Sequence, residues 1–152
     1  MMKKFIILLL GLGSAFVTSA QIMTPVHFTY SVTKTGSTTF ALHITAAMDE
    51  GWHIYAQVQP PEAIAIPTAI TFNKNPLISL VGIPKEVGDK EKYEDKTTGI
   101  IQYQYGHKLD LVQTIRMKAV VKTNISGTIT YQACTSEMCL PPKTIPFMIA
   151  LP

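Results

Sequence analysis

The residues of this chain best able to do covalent chemistry are its two cysteines, Cys134 and Cys139. A thiolate attacks a disulfide sulfur to give a mixed disulfide, and a second nearby thiol resolves it. Thr135-Ser136-Glu137-Met138 separates the pair, and Leu140-Pro141-Pro142 follows. Gly127 to Ala133 reads as a strand before the cysteines, and another begins at about Thr144, so the pair flanks the tip of a hairpin. Opposed residues of an antiparallel pair lie ~4.5–5.5 Å apart at Cα, within the range a disulfide accepts. Glu137 between the cysteines disfavours a thiolate, whereas Lys143 favours one.

Three uses of such a pair are open on residues alone. A structural staple is the plainest, but a bridge closing six residues removes only ~2.2 kcal/mol of unfolded-state freedom, against ~4.7 for a 100-residue loop. An exposed, exchangeable disulfide is the second, since a hairpin tip lies where a partner's thiolate can reach it. Metal binding is the third, with His53 or His107 joining two thiolates, or Met138 suggesting copper. The compact four-ligand spacing that a metal site needs is missing, so neither metal nor other cofactor is expected.

The elements that must hold the pair are strands. Phe40, Leu42, Ile44 and Ala46 alternate with Thr39, Ala41, His43 and Thr45. Ile115, Met117, Ala119 and Val121 alternate with Arg116, Lys118, Val120 and Lys122, and Ile145, Phe147, Ile149 and Leu151 repeat the pattern. A period of two gives each strand one face for a core and one for water. Shorter candidates are Val26–Val32, Trp52–Gln57, Ala69–Phe72, Ile78–Val81 and Ile100–Tyr105. Gly36-Ser37, Asp49-Glu50-Gly51, Asn73 to Pro76, Gly106 and Asn124 to Gly127 read as turns. Pro60 to Pro67 reads as an extended connection. Many short, punctuated strands without a helical period predict an all-β antiparallel sandwich.

The first residues read as an export signal. Lys3 and Lys4 precede an apolar run from Phe5 to Phe16, and Thr18-Ser19-Ala20 predicts cleavage before Gln21. About 12 apolar residues fall short of the ~20 that span a bilayer. Residues 1–20 are thus expected to be a signal peptide and 21–152 one exported domain, without stable membrane insertion after cleavage. Without Lys3 and Lys4 the 13 basic residues become 11 against 10 acidic ones. No basic cluster suggests nucleic acid. The mixed charge run Lys85 to Lys96 reads as a solvated loop.

At Tyr131-Gln132-Ala133-Cys134 and Cys139-Leu140-Pro141-Pro142 the chain resembles the N-terminal periplasmic domain of the thiol:disulfide interchange protein DsbD, in its separately encoded single-domain form. Gly51-Trp52-His53-Ile54-Tyr55 matches the aromatic strand beside the cysteines. Glu94-Asp95 with Gly99 matches the cap loop, and Leu109 to Ile115 the strand after it. The resemblance implies an immunoglobulin-like β-sandwich in the periplasm. It implies a protein-disulfide reductase-type relay, fed by a membrane thiol electron transporter and serving thioredoxin-fold partners, among them isomerases and cytochrome c assembly factors.

By that resemblance Cys134 and Cys139 are the redox pair, with Cys139 facing the partner. Tyr55 and His53 line the site, where the family has two tyrosines, with Glu94, Asp95, Thr97 and Glu137 around it. Two departures stand out. Enterobacterial members have one residue more between the cysteines, and Thr97 or Thr98 stands where the cap loop carries an aromatic. The competing reading is a secreted binding or adhesion module with a structural disulfide, presenting Trp52, Tyr55, Tyr103 and Tyr105 as an aromatic platform.

Overall fold

A computed structural model of the chain describes residues 23–152, so the expected signal peptide lies outside the described residues. Eleven strands and no helix make up the described part: β1 (Val26–Lys34), β2 (Thr39–Met48), β3 (His53–Tyr55), β4 (Ala69–Phe72), β5 (Ile78–Val87), β6 (Glu91–Glu94), β7 (Ile101–Tyr105), β8 (Lys108–Met117), β9 (Thr123–Tyr131), β10 (Ala133–Cys134) and β11 (Lys143–Leu151). Every pairing is antiparallel. One sheet has the order β1-β2-β8-β5, a second β10-β3-β7-β6, and a third β11-β9-β4.

The alternation in β2 and β8 explains why their sheet has a core face. Phe40, Leu42, Ile44 and Ala46 are buried on β2, against Leu109, Leu111, Ile115 and Met117 on β8. Ile54 of β3, Tyr105 of β7, Ile125 and Ile129 of β9, and Phe147 and Leu151 of β11 complete one core. Each such aliphatic or aromatic burial contributes roughly 1.5–3 kcal/mol. Aromatic contacts join the sheets: Phe28 lies 5.1 Å from Tyr131, and Tyr30 lies 6.0 Å from Phe147, between ring centroids. The architecture is the immunoglobulin-like antiparallel sandwich expected from the sequence.

Several strand limits differ from the sequence reading. The strand expected through Val121 ends at Met117; Lys118 then donates its N–H to Leu77 O at 2.9 Å, and Val120 and Val121 are exposed. Asn124 to Gly127, read as a turn, lies inside β9 between β11 and β4. A Cβ at Gly127 would collide with Thr71 O and the Phe147 ring, so this glycine serves close approach rather than turning. The charge run is not one loop: Lys85 to Val87 end β5, and Glu91–Glu94 form the edge strand β6. A register shift between Val81 and Lys85 lets β5 run past Gly82 and Pro84, and Gln113 donates to Val81 O at 3.2 Å beside it.

Candidate redox site

The hairpin of β9 and β11 changes sheets at its tip. Tyr131, the last residue of β9, pairs with Lys143, the first of β11. Pro141 and Pro142 have no N–H to continue the ladder. The chain beyond Gln132 instead joins β3, with Ala133 opposite Ile54 and Cys134 opposite His53. Gln132 Nε2 donates to Leu140 O at 3.1 Å and braces the change of direction.

The cysteines face each other in this tip. Leu140 N donates to Ala133 O at 2.9 Å, and Thr135 N to Met138 O at 2.7 Å. These bonds flank Cys134 and Cys139, which therefore occupy the narrow, non-hydrogen-bonded position of the ladder. Their Cα atoms are 4.0 Å apart and the sulfurs are bonded. Thr135 closes the turn: its Oγ1 accepts from Glu137 N at 3.2 Å and Met138 N at 3.1 Å. The two cysteines differ in burial, for Cys134 is 0 % exposed whereas Cys139 lies at the surface.

Beside the tip is a cleft of about 480 Å³, lined by His53 and Tyr55 of β3, Tyr93 of β6, Asp95, Gln102 and Gln104 of β7, and Thr135 and Ser136 of the tip. His53 stands edge-on to Tyr55, with ring centroids 5.3 Å apart. Burial lowers the His53 pKa from its ordinary value, only partly opposed by the Glu91 carboxylate. Burial, with Tyr93 nearby, raises that of Tyr55, so its hydroxyl remains a donor.

Asp95 opens the turn between β6 and β7. Its Oδ1 accepts from Thr98 N and Thr97 N, each at 2.8 Å, and these bonds hold its carboxyl below the ordinary carboxylate range. Gly99, at φ 72°, completes the turn by donating to Asp95 O at 2.7 Å.

The residues expected around the pair fall into two groups. His53, Tyr55 and Asp95 share the cleft. Glu94 points elsewhere and pairs with Lys92 at 3.1 Å, while Thr97 and Thr98 are exposed turn residues, and Glu137 is exposed on the tip. The aromatic side chain that β6 and its turn bring to the cleft is Tyr93, not a residue after Asp95. Tyr93 sits two residues before Asp95, and that period of two could have identified it. Gln102 was also missed; its buried Oε1 has no hydrogen-bond partner among the described residues. The aromatic platform of the binding-module reading does not form: Tyr55 and Tyr105 are buried, and Trp52 and Tyr103 pack against the core.

The chain is a β-sandwich with a disulfide at a strand-switching hairpin tip, Cys139 exposed and Cys134 buried, an arrangement suited to thiol–disulfide exchange. Residues 19–150 match the family model of the thiol:disulfide interchange protein DsbD, N-terminal, and the chain belongs to that family. Among solved structures it is similar to the DsbD N-terminal domain of Neisseria meningitidis in its reduced form. Identity is 19%, coverage 81% of this chain and 84% of that one, and the TM-score 0.52. It is also similar to the N-terminal periplasmic domain of ScsB from Proteus mirabilis, with 14% identity, 86% and 49% coverage, and a TM-score of 0.51. At these identities the likeness concerns the fold. No curated protein gives a significant match to this chain.

Proposed function

We propose that this protein is an exported electron relay, which receives electrons from a membrane thiol transporter and reduces disulfides of thioredoxin-fold proteins in the periplasm. The single observation that carries this reading is the asymmetry of the disulfide: Cys139 is an exposed residue and Cys134 a fully buried one. Family membership supports the exchange chemistry. The lysine-flanked apolar segment before Gln21 supports export, as does likeness to a periplasmic ScsB domain.

In the reducing half-reaction Cys139 Sγ, as thiolate, attacks a partner's disulfide and expels one partner sulfur. Cys134 Sγ then attacks Cys139 Sγ and expels the other. Two electrons and two protons pass to the partner, and the Cys134–Cys139 bond reforms. The sulfurs carry the electrons, so no cofactor enters. His53, Tyr55, Tyr93 and Asp95 form the wall against which a partner's loop rests.

A redox titration against glutathione tests the reading. The Cys134–Cys139 couple is expected to equilibrate within that buffer. A couple below about −300 mV, resisting glutathione throughout, would identify a structural staple.

A further inference from the structure

We propose that His53 is the base that takes the proton from Cys134 as that thiol attacks the mixed disulfide on Cys139. The proposal rests on the relay reading and adds to it the group that activates the resolving sulfur. Cys134 is fully buried. Burial disfavours a charged sulfur, so an enclosed thiol that must attack needs its proton removed in place.

His53 is placed for this by the ladder. It is the residue directly opposite Cys134, and such partners project from the same face of the sheet with Cβ atoms ~4.5–5.5 Å apart. Its ring contacts the Tyr55 ring and makes no hydrogen bond within the described residues, leaving both nitrogens available.

The other titratable groups around the cleft do not suit the task. Tyr55, on the same strand, keeps its proton. Tyr93 from β6 lies on the far strand of the cleft, not opposite Cys134. Asp95 is committed to the amides of Thr97 and Thr98, which weakens it as a base. Glu91, further along β6, accepts from Gln104 Nε2 at 3.2 Å. Neither lysine nor arginine lines the cleft, and Thr135 and Ser136 do not titrate near neutrality. Half-buried and with a lowered pKa, His53 is neutral at pH 7 and able to accept.

The step balances. The Cys134 proton moves to the imidazole, and the sulfur's electron pair forms the Cys134–Cys139 bond. The bond from Cys139 to the partner's sulfur breaks, its electron pair leaving with that sulfur, which the imidazolium then protonates. The dithiol loses two electrons and the partner's disulfide gains them.

The test uses the reduced protein and dithiobis(nitrobenzoate), followed by stopped flow. Attack by exposed Cys139 releases the first thionitrobenzoate; collapse by Cys134 releases the second in a first-order phase. His53→Gln is expected to slow the second phase about 100-fold at neutral pH, far beyond any change in the first. The deficit should close at alkaline pH, where Cys134 ionises without help. His53→Tyr preserves an aromatic ring against Tyr55 and should show the same loss. Equal second-phase rates in wild type and His53→Gln, a deficit constant with pH, or full recovery in His53→Tyr would overturn the proposal. A wild-type protein that releases only one equivalent lacks a resolving thiol, and then the relay reading itself falls.

Discussion

Glu86 on β5 accepts the hydroxyl of Tyr105 on β7 at 3.1 Å, joining two different sheets. The same carboxylate accepts from Gln57 N at 2.5 Å, just beyond β3, and pairs with Lys90 at 2.6 Å. Since β3 carries His53 and Tyr55, this largely buried carboxylate fixes the strand against which the cysteine tip lies.

Glu86→Ala is therefore expected to lower stability by about 2–3 kcal/mol, because hydrogen bonds to a charged group are each worth ~1.5–3 and Lys90 is partly exposed. Glu86→Gln keeps acceptor and shape and should lose less. Urea denaturation of the two variants measures both values. An alanine variant as stable as the wild type would remove the network from the account.

Alkaline pH should loosen the fold. Burial first, and then the Glu86 charge and hydrogen bond, raise the Tyr105 pKa well above that of a free phenol, and burial also raises those of Tyr30, Tyr55 and Tyr131. A raised folded-state pKa means that the native protein holds protons the unfolded chain releases above pH ~10. Stability from these groups is complete below that pH and declines as pH rises towards the folded values. Denaturation midpoints between pH 8 and roughly 11 should fall, and Tyr105→Phe should flatten the decline. A flat wild-type profile would contradict the assignment.

Gly127→Ala should be among the more damaging single-methyl additions. The new Cβ meets the backbone oxygen of Thr71 on one side and the Phe147 ring on the other, and the backbone cannot yield as a side chain would. Overpacking of this kind typically costs about 1–3 kcal/mol. The thermal midpoint should drop by several degrees, and a neutral result would mean that β4 shifts freely past β9.

Much of this arrangement is legible in the chain, and the exceptions share a physical cause. The burial alternation of β2 and β11, the strand Ala69–Phe72, and the cysteine hairpin all follow from residue types and spacing. β6 does not, because Glu91-Lys92-Tyr93-Glu94 is an exposed edge strand held by pairing with β7 rather than by a buried face. Asn124 to Gly127 reads as a turn, yet Asn124 O and Ser126 Oγ accept from Asn75 and Asn73, so turn-type residues serve a strand. Tyr93 escaped for the same reason as β6: once that strand is recognised, alternation puts Tyr93 and Asp95 on one side. Neither the strand switch at Gln132 nor the contrast between the two sulfurs is written in local spacing, since both depend on where β3 lies.

The central claim is that Cys139 meets the partner and Cys134 releases it. Its most direct measurement is trapping of a thioredoxin-fold partner by Cys134→Ala and by Cys139→Ala, resolved on non-reducing gels. Cys134→Ala should accumulate a mixed disulfide through Cys139 that dithiothreitol dissolves, and Cys139→Ala should accumulate none. Both variants should remain folded, because a bridge of this span contributes only ~2 kcal/mol. If neither variant traps a partner and both melt far below the wild type, the disulfide is a structural staple and the relay is wrong.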